Sequence, residues 1–466
     1  MSVLVQRSVR QTLVRMAVPM LAGTFAMNAY NLADAWFVSR LGTKPLAAVA
    51  FTFPVIALLT FVAGGIGTGI TTLVSHAMGR HDDADASRLV THGIALTVAF
   101  TTTASIVGYV SIDVVFGWLG ADAQTLPLIR DFMRIWYMGA LTMSLPMMGN
   151  GILISAGDSR NASRLMIFGA ALNVVLNPLL IFGLGGLPPL GIRGSALATV
   201  ISQTVSMCWL LYLLHHRQRL LAFRRGGLRG CLTSFRRIIR FAIPCVLSMV
   251  LMPISTSVLT WIISGFGAEA VAAAGAAARL EMFAFVVPMA LGISLTPFVS
   301  QNFGAQRLDR IREAKTLSAA FALLYGGAVA LLFFFAAPWL ASCFSSDPKV
   351  IQVMVAYLRI IPFGYGMMEV HRYCGFMLTG LHNPSSAMTL NIIRILVLLI
   401  PLSWLGAHFL GLRGMFAGRL LTDLVVGTLG LVWVSLRLRS MASLGAPPQS
   451  PSAVPASGDE SFQALL

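Results

Sequence analysis

The chain has 466 residues, of which 57% are hydrophobic and only 11% charged, less than half the roughly 25% charged content of soluble domains. It is nonetheless basic, with 33 Lys and Arg against 17 Asp and Glu and a net charge of +16. A soluble nucleic-acid binder is basic because it is rich in charge, whereas this chain is basic while poor in it, which excludes that class and points to an integral membrane protein.

Apolar runs about 20 residues long mark twelve candidate spans. They cover 16–38, 46–74, 90–117, 132–155, 164–184, 194–214, 239–264, 271–299, 316–344, 352–378, 386–406 and 414–436. Helices are expected because lipid offers no partner for a free backbone N–H, and no barrel-like alternation is present. With the N-terminus inside, the inner segments hold 21 Lys and Arg and the outer segments 7. That asymmetry predicts a multi-pass protein of the cell inner (plasma) membrane with both termini cytoplasmic. The basic stretch 216–238 reads as a cytoplasmic linker lying on anionic headgroups. Without interleaved aromatics it gives no sign of nucleic acid. Residues 441–466, rich in Pro, Ser, Ala and Gly, read as a disordered cytoplasmic tail.

The chain repeats itself. Residues 17–80 align with 242–305 without a gap, with 14 of 64 positions identical, including Pro19/Pro244, Trp36/Trp261, Gly42/Gly267 and Gly79/Gly304. Gly191-Ile-Arg-Gly194 matches Gly411-Leu-Arg-Gly414 further on. Each half then holds six spans, an even number, so both enter the membrane in the same direction. The expected fold is all-α, with twelve transmembrane helices in two pseudo-symmetric six-helix bundles. The N-lobe is 1–215 and the C-lobe 239–440. Two such bundles can rock about a central cleft to give alternating access.

Composition removes other functions. The three lysines (Lys44, Lys315, Lys349) never follow a glycine, so no P-loop exists and a self-contained ATP-driven pump is excluded. Five scattered cysteines without a CxxC pair read as core packing. His215-His216 reads as a solvated or headgroup-facing pair. An intramembrane enzyme would need clustered His/Asp or a Ser/His pair within the spans, and no convincing set occurs. No cofactor is expected beyond a transported H+ or Na+ as coupling ion.

Asp34, Glu281, Glu369 and Asp423 fall within spans, with Asp113 near the end of another, and a mid-membrane charge costs at least about 2.5–3.5 kcal/mol. Asp34 shares a helical face with Tyr30 and Asn31, while its repeat partner is Leu259, so this group exists in one half only. Asn173 and Asn177 are spaced i, i+4 beside Pro178. Two such amides can coordinate a cation, hydrogen-bond a neutral carboxyl or simply tie helices together. Arg419 and Asp423, also i, i+4, read as a local ion pair. Glu369 is close enough to Arg372 for neutralisation at i+3, and otherwise offers a second ion or substrate contact. Arg279 and Glu281 are two apart and do not share one face.

Several segments resemble the MATE (multidrug and toxic compound extrusion) transporters, most closely the DinF-like branch. Thr296-Pro-Phe-Val-Ser-Gln-Asn-Phe-Gly-Ala305 followed by Asp309-Arg310 is similar to the family's GQNxGA signature. Arg279-Leu-Glu281 is similar to its RIE stretch, and Asn28-Ala-Tyr-Asn-Leu-Ala-Asp34 to its first-helix motif. The resemblance implies an antiporter, acting as a monomer, that expels cationic or amphipathic drugs against protons or sodium. It places Asp34 in a cation-coupling site with Tyr30, Asn150, Asn173, Asn177 and Thr199. Asn31, Arg279, Glu281 and Glu369 are candidates for the substrate cleft. Many DinF-like members carry an aspartate where Asn177 stands, so here one carboxylate must do the work of two. The seventh-span carboxylate of another branch is replaced by Met252. A lipid-linked oligosaccharide flippase of the same superfamily is the alternative, with Arg279 and Arg372 as the residues that could hold its pyrophosphate.

Overall fold

The structure is a computed structural model that describes residues 3–186, 188–221 and 228–443. The predicted tail beyond residue 443 lies outside the described residues, as do 222–227 of the predicted linker. A single turn, α1 (Val3–Gln6), precedes the long helices. The first bundle comprises α2 (Val9–Ser39), α3 (Thr43–Gly79), α4 (Asp83–Trp118), α5 (Leu126–Ser155), α6 (Ser159–Phe182) and α7 (Ile192–Tyr212). The second begins with α8 (Leu228–Ser264), so residues 228–238 are helical rather than linker. It continues with α9 (Ala268–Ala284), α10 (Val286–Gly304), α11 (Leu308–Phe344), α12 (Pro348–Ile360), α13 (Tyr365–Gly380), α14 (Pro384–Ile392) and α15 (Ile400–Ser443).

Among the described residues, eight helical stretches are long and apolar enough to cross a bilayer, nine with the bent pair α9–α10. Helices α2 and α5 are of similar length but less apolar, because α2 carries Asn28, Tyr30, Asn31 and Asp34, and α5 carries Arg130, Asp131 and Arg134. The last stretch, Pro384–Ala442, doubles back at Gly411 (φ 63°, ψ −153°), which brings Gly406 against Gly414 and Leu402 against Gly418. Counted so, the spans number twelve, in two bundles of six.

The bend of 54° between α9 and α10 has an identifiable cause. Pro288 lacks an N–H, so the Ala284 carbonyl four residues earlier loses its helical donor. The Tyr325 hydroxyl supplies one at 2.8 Å. Pro19 does the same in α2, and Ser159 donates to the freed Arg15 carbonyl at 3.4 Å. That contact and Ser163, which donates to the Pro19 carbonyl, brace α2 against α6.

The internal repeat extends to the backbone. Left-handed positions recur at matching places: Gly42 and Gly267, His81 and Gln306, Gly157 and His382, Gly191 and Gly411. At the last pair only glycine meets the demand without strain, since each begins a span from a positive φ. N-caps recur too, with Asp158 accepting from Asn161 and Asn383 from Ser386.

The two bundles touch at one end only. Among the described residues, every hydrogen bond, ion pair and ring contact between them falls near the α3–α4, α5–α6, α10–α11 and α13–α14 ends and the N-terminal part of α8, which share a side with α1. Arg237 pairs with Asp85 at 2.9 Å, the Ser300 hydroxyl donates to the Thr72 carbonyl at 2.7 Å, and Gln301 donates to the Ser155 carbonyl. Asn302 and Arg310 both reach the Leu4 carbonyl, which ties α1 beneath the junction. Helices α3 and α10 cross closely because Gly79 lies on the Gln301 carbonyl and Gly304 on the His76 carbonyl, two equivalent contacts at repeat-related positions. Higher up, Gly65 and Gly69 admit the α8 backbone at Val246 and Ala242. This is the close approach expected of a glycine-rich span. Toward the other end no such contact joins the bundles among the described residues, which leaves room there for the central cleft expected of two such bundles.

His382, between α13 and α14, seals this junction against His76, with ring centroids 4.0 Å apart. Burial, then His76, Arg237 and Arg80, hold the His382 imidazole well below its ordinary range. The closed junction therefore binds fewer protons than an opened one. Its stability is full above the ordinary histidine value of about 6.5 and falls as pH drops below it. Acidification from about pH 8 to about pH 5.5 is expected to speed alkylation of a cysteine placed at Met78, in a chain whose native cysteines are replaced, and His382→Gln should flatten that dependence.

Candidate functional site

The α2–α6 brace sets Asp34 opposite Asn177. The Asp34 Oδ1 accepts from the Asn177 amide at 3.0 Å and from the Ser195 hydroxyl at 3.0 Å. The Asn177 amide also donates to Asn173 Oδ1 at 2.7 Å, and Asn173 donates to the Thr199 hydroxyl at 3.1 Å. Tyr30, one turn before Asp34, lies beside Thr199 and within electrostatic reach of Asp34. Five predicted residues, Asp34, Tyr30, Asn173, Asn177 and Thr199, thus form one polar thread through the first bundle. Both asparagines are buried, at 1% and 0% exposure, and Asn177 Oδ1 has no hydrogen-bond partner.

Asn150 does not join the thread: no hydrogen bond links it there, and its Oδ1 is buried without a partner. Ser195 is the residue that sequence reasoning missed. It stands four positions before Thr199 in α7, hence on the same face, and that spacing was the available signal. Asn31 is exposed on α2.

The second bundle holds a different arrangement. Glu281 Oε1 accepts from the Tyr357 and Tyr365 hydroxyls, each at 2.8 Å, and pairs with Arg419 at 2.8 Å. Arg419 also donates to the Tyr357 hydroxyl at 2.7 Å. The predicted Arg419–Asp423 pair is therefore not formed. Asp423 pairs instead with Arg394 at 3.1 Å, carried on a π-helical stretch, Ile393–Leu399. The i, i+4 spacing permitted a local pair, but Glu281 with its two tyrosines answers Arg419 more completely. Glu369 is held by Arg372 at 3.0 Å, the i+3 neutralisation anticipated above, and Arg372 stacks over Phe285. His371 meets Asn391 at 3.0 Å. Arg279 is exposed on α9.

The five cysteines are free, but packing accounts for only some of them: Cys245 and Cys374 are buried, Cys208 and Cys343 exposed. The His215-His216 pair is exposed, with His216 stacked on Tyr212.

Four of the five span carboxylates thus face an arginine, Asp113 through Arg130 at 2.9 Å, and Asp34 faces only neutral donors. An arginine partner fixes a carboxylate in its charged form. Neutral amides and hydroxyls stabilise the charge less, and leave it free to be cancelled by an ion.

The MatE family model matches residues 19–179 and 244–405, one segment in each bundle. An FAD transporter of Shewanella oneidensis is 35% identical over 425 residues, covering 91% of this chain and 94% of that protein. A probable multidrug resistance protein of Bacillus subtilis is 25% identical, covering 77% of this chain and 78% of its own length. Among solved structures, a multidrug resistance MATE transporter in an outward-facing conformation superimposes with a TM-score of 0.88 at 26% identity, covering 95% of this chain and 98% of that one. A Pyrococcus furiosus transporter of the MOP superfamily, described as having a binding pocket of reversed polarity, gives 0.86 at 26% identity, covering 94% and 98%.

The contrast between the bundles is measurable. Arg419→Gln leaves Glu281 without its counter-charge in a buried setting and is expected to cost about 3–5 kcal/mol, read as a lower unfolding midpoint in detergent. Asp34→Asn, which breaks no ion pair, should leave the midpoint near that of the parent.

Proposed function

The chain belongs to the MatE family, and on that premise we propose that this membrane transporter is a proton-driven exporter with Asp34 as its coupling group. The protein is a multi-pass transporter and not an enzyme. The observation that carries the proposal is the isolation of Asp34: alone among the span carboxylates it has no cationic partner.

Charged, Asp34 is held by the Asn177 amide and the Ser195 hydroxyl. Protonated, it becomes a donor and needs an acceptor. Asn177 Oδ1, buried and unpartnered, supplies one if the amide turns over. Asn173, Thr199 and Tyr30 then rearrange their own hydrogen bonds along the thread, which links the charge at Asp34 to the packing of α2, α6 and α7. Both groups on Asp34 Oδ1 present donors to it, an arrangement that suits a carboxyl gaining and losing a proton. A single carboxylate carries one proton per cycle.

The cycle follows from differential affinity. In the form described, the bundles close at the end that carries α1 and the basic segments. The excess of Lys and Arg at that end, 21 against 7, supports its placement in the cytoplasm, with both termini inside and the protein in the inner membrane. The open cleft then faces outward, where protonation of Asp34 favours release of the exported solute. Deprotonation inside restores the binding form. One chain holds both bundles, so the unit proposed is a monomer.

The substrate class is amphipathic and organic, as for the multidrug relatives. The FAD transporter of Shewanella oneidensis extends that class to flavin nucleotides. A cationic drug would find no unpaired carboxylate among the described span residues other than Asp34. The flippase reading loses one of its two arginines, since Arg372 is held by Glu369.

In proteoliposomes, an imposed pH gradient should drive solute uptake or efflux by the parent chain, and a sodium gradient alone should not. Asp34→Asn should reduce gradient-driven flux to background while inserting and folding as the parent does. Parent-like flux in Asp34→Asn would contradict the proposal.

A further inference from the structure

The arginines of the spans are almost all answered. Arg372, Arg394 and Arg419 pair with Glu369, Asp423 and Glu281. Arg359 lies over the Phe334 ring at 5.3 Å, and Arg134 over Tyr109 at 5.8 Å. Arg279 stands apart: among the described residues it has no carboxylate, hydrogen-bond partner or aromatic ring. At 1.5 Å per residue it lies roughly 17 Å along α9 from Ala268, about half the depth of a hydrocarbon core of about 30 Å.

The helical face identifies what it meets. Ala270, Ala273 and Ala277 are the buried side of α9 and pack on the second bundle. Arg279 projects from the opposite side, in line with Ala268, Ala272 and Gly275 before it and Met282 and Phe283 after it, all exposed. Over the turns before Arg279 this face is alanine and glycine, unlike the lipid-facing sides of this protein, such as Leu324, Leu331, Phe335 and Trp339 of α11. An unpaired guanidinium at this depth is costly against lipid, and it does not lie within the bundle. The remaining environment is the water-filled cleft. The connectivity agrees, because α8 and α10, the neighbours of α9 in the chain, both lie against the first bundle at the closed end.

We infer that Arg279 is an anion-binding residue of the cleft, and that the exported solute carries a phosphate or comparable acidic group, as flavin nucleotides do. This rests on the export reading above and specifies its substrate. A guanidinium presents a fork of donors that matches phosphate oxygens in pairs. Glu281, two residues on, offers no competition, because three donors already converge on its Oε1. The cleft therefore presents a positive charge from the second bundle, with its nearest acid neutralised. The coupling carboxylate is turned into the first bundle.

The test uses the full chain in lipid nanodiscs and three flavins that share a ring system: riboflavin without phosphate, FMN with one, and FAD with a diphosphate. Flavin fluorescence reports equilibrium binding without any gradient. The parent should bind FMN and FAD at least tenfold more tightly than riboflavin. Arg279→Gln should bring the three within about threefold by weakening the phosphorylated ligands, and Arg279→Lys should retain part of the preference because it keeps the charge but loses the fork. As Arg279 is exposed and unpaired, an unchanged unfolding midpoint of Arg279→Gln checks that the fold is intact. Asp34→Asn, which fixes that position in a neutral form, should weaken all three flavins alike and keep the parent's ratio between them, so loss of coupling and loss of anion recognition are read separately. The inference is overturned if the parent binds no flavin or shows no preference for the phosphorylated forms. It is equally overturned if Arg279→Gln keeps the parent's ratio.

Discussion

A carboxylate or guanidinium at mid-bilayer costs at least about 2.5–3.5 kcal/mol unless something inside the protein answers its charge. Much of this molecule can be understood from how each such charge is answered. Glu281 is met by Arg419 and two tyrosine hydroxyls, Asp423 by Arg394, and Glu369 by Arg372. These pairs have a structural role, tying α9, α12, α13 and α15 to one another. Asp34 is answered by neutral groups, and Arg279 by none among the described residues. These two exceptions stand in different bundles and face different surroundings, one a thread of amides and hydroxyls, the other an exposed face of α9.

The duplicated scaffold makes this asymmetry plain. Both halves share turn geometry, with glycines in the same unusual conformation at Gly191 and Gly411 and crossing contacts at Gly79 and Gly304. The polar residues do not repeat. Asp34 corresponds to Leu259, and Asn173 and Asn177 to Leu396 and Ile400. Thr199, by the spacing of the two glycine motifs, corresponds to Arg419. A neutral hydroxyl in one bundle thus stands where a fixed cation stands in the other. The backbone is built alike in the two halves, and the side chains set one carboxylate among neutral groups in the first half alone.

Much of this was legible in the sequence, for physical reasons. Twelve spans follow from length and hydropathy, and the two-bundle arrangement follows from a gapless repeat with an even number of spans. Asp34 stands out because an acid in one repeat has no counterpart in the other. Long-range partners were less legible. Spacing i, i+4 connected Arg419 to Asp423, whereas the fold brings Glu281 from another helix. Tyr357 and Tyr365 gave no local sign of converging on one carboxylate oxygen. Ser195 had a signal, its position one turn before Thr199, that an acid-centred search passes over. The stretch 228–238 is basic enough to resemble a surface linker, yet its arginines lie along a helix continuous with α8. Asn150, brought forward by family resemblance alone, forms no hydrogen bond to the thread.

The central claim is that the charge on one carboxylate, Asp34, is cancelled by a proton rather than by a metal cation. Infrared difference spectra of the purified protein, recorded across a pH titration with and without sodium, test it directly. The account predicts a protonated-carboxyl band that titrates, is absent in Asp34→Asn and is indifferent to sodium. A band that persists unchanged in that variant, or that sodium displaces, would contradict it.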